Sequence, residues 1–247
     1  MKAFEKIKET DAIFGNIKEK DHESENSRNA ERLSMDCKAA AKIGNFSGGG
    51  KTRGDSEACD HDFGCAEKCI PCGILNENSG ELHISPGSSH KTGDFIADTL
   101  IIWWNDLDAE EQKSTDLIQI KADSGPESSG VRTRFLSRMA GFAKKIGKSL
   151  HLLHYPPYHS KCGPIGRCRG ILEKHWNGTK LTDAETMLRR AAGMTWKGLH
   201  PAAKTNKKNY KKGVSLTKSA MRSVEKFLSG NPLLPKRDIL IRPYEVV

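Results

Sequence analysis

The stretch from Leu117 to His154 leaves a chain of this kind few folds to choose from. Leu117 to Asp123 (LIQIKAD) is a short run, apolar at Leu117, Ile118, Ile120 and Ala122, that ends in an acid. Gly125-Pro126 then breaks the chain. From Val131 to Ile146, Phe135, Leu136, Met139, Phe142 and Ile146 fall on one face of a basic, amphipathic helix. Ser149 to His154 is again short and apolar, through Leu150, Leu152 and Leu153. Strand, helix, strand in this order is the parallel part of an α/β sheet.

Upstream, Arg32 to Asp36 reads as a strand that also ends in an acid, with Lys42 to Phe46 as its expected hairpin partner. Ile70 to Leu75 and Glu81 to Ser85 are two strands around the turn Asn76–Gly80. Asp94 to Leu107 is a helix, with Trp103 and Trp104 expected in packing roles. Downstream, Pro156-Pro157 stiffens a loop containing His159, Ser160 and Lys161, and a helix spans Pro164 to Trp176. Another helix is expected over Thr182 to Ala192, with Thr182 as N-cap and Glu185 completing a capping box. Leu216 to Leu228 is helical, and Leu233 to Pro243 is an extended tail. The fold class expected is α/β, RNase H-like: a mixed sheet with an antiparallel start and flanking helices, plus a helical C-terminal extension. Residues 1–32 form a charged N-terminal remnant, 33–178 the catalytic-type domain and 179–247 the basic extension.

Lys and Arg total 40 against 31 Asp and Glu, a net charge of +9 over 247 residues. The excess concentrates at Lys204 to Lys212, where Lys207, Lys208, Lys211 and Lys212 lie. This bias favours anionic partners, nucleic acid first, although a merely solvated face is the alternative. No apolar run approaches the roughly 20 residues of a membrane span, and the N-terminus lacks a signal-peptide core. A cytoplasmic protein with no membrane partner is expected, with self-association left open. Seven scattered cysteines suit free thiols or metal ligands better than a disulfide framework.

Asp36 and Asp123, each at a strand end, are the residue type that holds Mg²⁺, a hard ion served by carboxylates. Two such ions about 3.5–4 Å apart would activate the attacking oxygen and stabilise the leaving oxygen of a phosphodiester. Strand ends also carry Asp as turn formers, so spacing alone leaves both readings open. Ser47 to Thr52 lacks the first glycine of a phosphate-binding loop. Cys69-Ile70-Pro71-Cys72, with Cys59, Cys65 and His61 nearby, is half of a zinc pattern without a matched second half. His151, His154 and His159 could act as ligands or bases, but decorating the strand and its loop is the simpler reading.

Ser34 to Phe46 (SMDCKAAAKIGNF), Ile120 to Leu136 (IKADSGPESSGVRTRFL) and His154 to Gly178 (HYPPYHSKCGPIGRCRGILEKHWNG) resemble the DDE transposases of bacterial insertion sequences, in the group typed by an Azoarcus element. The likeness continues through Met194 to Pro201 (MTWKGLHP) and Asn231 to Pro243 (NPLLPKRDILIRP). The resemblance implies an RNase H-like domain that cuts and joins DNA ends with Mg²⁺. Asp36 falls on the family's first catalytic Asp and Asp123 on its second, both as metal ligands. Lys161, Arg167, Lys207, Lys208, Lys211 and Lys212 are the expected DNA contacts.

The third acid is where the chain departs from the pattern. Gly166 stands at the catalytic Glu position, and Cys162, Gly163 and Arg169 replace a Tyr, an Asn and a Trp. Glycine offers no ligand atom. Glu173 shares its helix face but lies about 10 Å further along the axis, and Glu127 is a more distant rescue. Some 35 residues precede Asp36, too few for the helix-turn-helix that such transposases carry upstream. The expectation is an N-terminally truncated, catalytically impaired copy. The alternative is a DNA-binding remnant that cuts nothing and interferes with an intact transposase.

Overall fold

The computed structural model describes residues 8–37, 41–44, 67–87, 90–157, 159, 163–177, 179–206 and 208–245. Among these, the elements in chain order are α1 (Thr10–Glu25), β1 (Ala30–Cys37), β2 (Ala41–Ile43), β3 (Glu67–Asn76), β4 (Leu82–Gly87), α2 (Gly93–Asp106), α3 (Ala109–Ser114), β5 (Leu117–Ala122), α4 (Thr133–Ile146) and β6 (Ser149–His154). They continue with α5 (Pro164–Trp176), α6 (Ala184–Ala192), β7 (Ala202–Ala203), α7 (Lys218–Glu225), β8 (Leu228–Gly230) and β9 (Asp238–Ile241). The strands form one sheet in the order β7-β4-β3-β1-β5-β6-β9-β8, with β2 paired to β3 off this path. β1, β5 and β6 run parallel, and β3 and β4 join antiparallel. This order is compatible with the RNase H-like expectation.

Side-chain alternation gives the sheet two apolar faces. On one, Leu33, Met35, Ile118, Ile120, Leu150 and Leu152 pack against Phe95, Leu100 and Trp104 of α2 and Phe135, Met139 and Phe142 of α4. Each fully buried Leu or Ile there contributes roughly 1.5–3 kcal/mol. Trp103 and Trp104 are buried, as their spacing predicts. α4 ends where Gly147 takes φ +69, a left-handed cap that glycine adopts without Cβ strain. On the other face, Ile165, Cys168 and Leu172 of α5 meet Leu75 and Ile84, while Ile13 and Ile17 of α1 cover Leu153 and Tyr155.

Three local expectations are corrected. β2 pairs with β3, in register Ala41↔Cys69, and not with β1. Both edges of β1 are already taken by β3 and β5, so no edge is free for a hairpin partner. The N-cap of α6 is Asp183, whose carboxylate accepts from Thr186 N at 2.6 Å; the Thr182 hydroxyl instead donates to Asp183 at 2.8 Å. An ionised acceptor forms the stronger bond to an unpaired helix N–H. The extended tail is a sheet component, because β9 pairs antiparallel with β6 and with β8. Residues 228–241 therefore complete the same sheet that begins at β1. Among the described residues no helix is long and apolar enough to cross a membrane.

Several polar contacts tie α1 to the sheet, among them those to Asp238 and Lys121. Asn16 donates to Asp238 at 3.0 Å, and His151 also bonds Asp238, at 2.7 Å. Lys121, 2% exposed on β5, reaches Asp21 at 2.5 Å and Glu77 at 2.7 Å. A buried ion network loses far more when one member is removed than a surface pair does. Lys121→Ala should cost about 3–5 kcal/mol in urea denaturation, whereas Lys20→Ala, which breaks the surface pair with Glu23 at 2.7 Å, should cost less than about 1 kcal/mol.

Candidate functional site

The two strand-end acids stand side by side. β1 and β5 are parallel neighbours in the register Met35↔Ala122, so the next residues, Asp36 and Asp123, leave the same edge of the sheet at the same level. In α/β sheets the carboxyl ends of parallel strands are the usual place for a site. Both acids line one small cavity with Cys37, Lys91 and Ser128, and its free volume is about 20 Å³. That is about the room one water needs.

The first turn of α5 closes the site from the β1 side. Pro164 occupies a position where a missing N–H costs nothing. Ile165 N donates to Ser34 Oγ at 3.4 Å, and the Ile165 side chain lies where a Cβ on Gly73 would meet it at 3.1 Å. Gly73 thus lets the helix start settle on β3. Gly166 falls in this first turn, and Arg169 lies one turn later on the same face. The Arg169 guanidinium makes an ion pair with the Asp36 carboxylate through Nη1. Asp36 is 7% exposed. Glu173 follows another turn along, exposed, with its charge felt by Arg169; Arg169 comes between it and the acid pair in helical order. Glu127 is engaged by Lys91 at 3.9 Å.

A set of hydrogen bonds fixes the loop that follows Asp123. Ser124 Oγ donates to the Tyr155 carbonyl at 2.6 Å, and Arg237 donates to Ser124 Oγ. Ser128 Oγ donates to the Asp123 carbonyl at 3.1 Å. His154, fully buried at the end of β6, donates from Nε2 to the Ser128 carbonyl at 2.7 Å. Its role is therefore neither ligand nor strand decoration: it pins the loop beside the second acid. Burial, and secondarily the Arg237 charge, push its pKa down to about 4, so the ring is neutral. Nothing local in the sequence marks His154 or Arg237 for this task, since the loop they hold lies 26 and 113 residues away. His151 is taken up by Asp238, and His159 Nδ1 lies 2.8 Å from the Pro157 carbonyl.

The basic residues fall into separate groups. Lys211 and Lys212 line a cleft of about 370 Å³ with Lys91, Arg132 and Arg134, against the acids Asp94 and Glu127. This cleft adjoins the acid cavity, because Lys91 and Phe135 line both. Lys208 is held by Asp98 at 3.0 Å. Arg167 is exposed on α5 and does not line that cleft. Lys161 and Lys207 lie outside the described residues.

The zinc pattern does not close. Cys69 packs on the α5 face of the sheet and Cys72 on the α2 face, because residues three apart on a strand point to opposite sides. Cys72 instead meets Cys37 across the strands, sulfurs 2.8 Å apart, with burial first and Cys37 second raising its thiol pKa. Cys59, His61 and Cys65, like the Ser47 to Thr52 loop, lie outside the described residues.

The Mg²⁺ expected from the resemblance can be tested against the donors present, and they do not fit a two-metal centre. Asp36 is already engaged by Arg169, Lys91 brings a cation to the cavity that Asp36 and Asp123 line, and position 166 has no side-chain donor atom. Among the described residues no three His, Cys, Asp or Glu side chains converge on a metal-sized site.

The Rhodopirellula transposase DDE domain, a protein family, has a model that matches residues 1–243. No curated protein matches the chain.

Acid should test the buried histidine. The neutral His154 of the fold and the ordinary histidine of the unfolded chain separate below about pH 6.5, where an unperturbed imidazole titrates. The unfolded chain binds a proton there that the fold refuses, so stability is complete above about pH 6.5 and falls toward pH 4. The loss should reach at most about 1.4 kcal/mol per pH unit. Urea midpoints measured across this window should show that slope in the wild type and a flatter one in His154→Gln.

Proposed function

This chain belongs to the transposase DDE domain family, and on that footing we propose that it is a DNA-binding protein of the transposition machinery whose own cleavage centre is impaired. The observation that carries the reading is that the basic cleft adjoins the acid pair. Five cations, Lys91, Arg132, Arg134, Lys211 and Lys212, line a groove that meets, at Lys91 and Phe135, the cavity lined by Asp36 and Asp123; Arg134 is paired with Asp94 and Lys91 with Glu127. A duplex backbone lying along this groove would be held by phosphate contacts that carry no sequence information. Its phosphodiester would meet the ends of β1 and β5, the side on which RNase H-like enzymes work.

In this reading Asp36 and Asp123 correspond to the first two catalytic acids of the family, and Gly166 to the third. Metal-assisted hydrolysis and strand transfer are the chemistry of such centres. Here the third carboxylate is missing, so the chain binds and orients DNA without cutting it efficiently. His154 and Ser128 keep the Asp123 loop in place independently of any catalytic role, which is consistent with a site that holds its shape.

A gel-shift series with duplex DNA tests the binding half. For about four phosphate contacts, affinity should fall roughly a hundredfold between low and physiological salt. The Lys211→Ala/Lys212→Ala double variant should reduce the salt slope by about two. A salt-independent shift, or none, would count against DNA as the partner. Nicking assays with Mg²⁺ or Mn²⁺ test the other half: the wild type should leave supercoiled DNA intact, and nicking that disappears in Asp123→Ala would overturn the impairment.

A further inference from the structure

The pairing of Arg169 with Asp36 says more than that a ligand is absent. Asp36 is nearly buried, and an isolated carboxylate there would be strongly destabilised by loss of its hydration. Something must balance it. Arg169 does so from α5, one turn after the glycine. Its Nε is buried with no hydrogen-bond acceptor, so only part of the guanidinium's donor set is satisfied. A guanidinium normally offers a fork of donors to a carboxylate. One that leaves a buried donor unused is placed there by charge and helix geometry more than by full hydrogen-bond complementarity.

We infer that Arg169 is the resident cation of Asp36: it occupies the charge position that a divalent ion would fill beside that acid and keeps the site in a metal-free state. This deepens the proposed impairment and rests on that reading of the acid pair. Two features of the fold lead to it. Gly166 has no side chain, and residues 166 and 169 share one helix face at the i,i+3 spacing, so the face beside Asp36 is left to the arginine. Lys91 brings a further positive charge to the small cavity that Asp36 and Asp123 line. A hard divalent cation approaching Asp36 and Asp123 therefore meets one carboxylate already neutralised by Arg169 and the Lys91 ammonium, itself paired with Glu127, where it needs free anionic oxygens.

A consequence separates this from simple ligand loss. Restoring a carboxylate at position 166 is not sufficient, because a glutamate three residues before Arg169 is well placed to pair with it. The new acid would be captured by the guanidinium, and the site would stay closed to metal. Metal affinity should return only when the arginine is removed, and should then increase further when the acid is added.

The test uses Mn²⁺ as the probe, read by the paramagnetic signal of the free ion and by thermal melting in chelator against millimolar Mn²⁺, without DNA. The proteins are the wild type, Gly166→Glu, Arg169→Met, the Gly166→Glu/Arg169→Met double variant and Asp36→Asn/Arg169→Met. The wild type and Gly166→Glu should bind weakly and melt alike with and without Mn²⁺. Arg169→Met should bind at least about tenfold tighter than the wild type, and the double variant about tenfold tighter again, each step corresponding to about 1.4 kcal/mol. Asp36→Asn/Arg169→Met should lose the gain. If Arg169→Met unfolds in chelator, recovery of its melt by Mn²⁺ supports the assignment and no recovery overturns it. Equal Mn²⁺ affinity in the wild type and Arg169→Met also overturns it. Since no DNA is present, either failure leaves the DNA-binding reading to its own gel-shift and nicking assays.

Discussion

The parallel pairing of β1 with β5 is the contact on which the rest of the molecule depends. It fixes Met35 opposite Ala122 and so brings two acids, 87 residues apart in the chain, to one edge. It also leaves β1 with no free edge, which sends β2 to β3. It aligns the faces too: Leu33 and Met35 join Ile118 and Ile120 in the core under α2 and α4, while Ser34 and Asp36 turn toward α5. A register slip of one residue would exchange these faces and place Asp36 in the apolar core. The main core and the placement of the acids are thus consequences of one ladder.

Around that ladder the polar groups are shared between holding and balancing. The Asp123 side is held by neutral hydrogen bonds, from Ser124 to the Tyr155 carbonyl, from Ser128 to Asp123 and from His154 to Ser128. The Asp36 side is balanced by a charge, Arg169. The two acids are equivalent in register and unequal in environment. That inequality is what a symmetric two-metal clamp would not have, and it is the basis of the proposed role of Arg169.

The sequence showed its periodic elements well. β6 and α5 have the bounds their patterns predict, and β5 and α4 differ by a residue or two, because alternation and helical spacing are local properties. Asp36 and Asp123 were visible as acids at strand ends. What stayed hidden was long-range. The partner of Asp36 lies 133 residues away, and no local pattern distinguishes an arginine that meets a carboxylate from one that meets solvent. Cys69 and Cys72 look like a chelating pair until the strand assigns them to opposite faces. The cap of α6 was placed one residue early because Thr182 and Asp183 are both good caps, and only the geometry of the turn chooses between them.

The position of β9 has a consequence for how the molecule is made. The strand closes the β6 side of the parallel ladder, and its Asp238 is bonded by Asn16, 222 residues earlier. Until residue 241 has left the ribosome, β6 presents an unpaired edge and α1 lacks one of its polar anchors. Such an edge is a template for pairing with another chain, and long-range closures of this kind are slow. Between the synthesis of β6 and that of β9 a nascent chain therefore holds the acid-bearing strands at an open border. β9 acts as a latch, and it is when this strand docks that misassembly competes with folding.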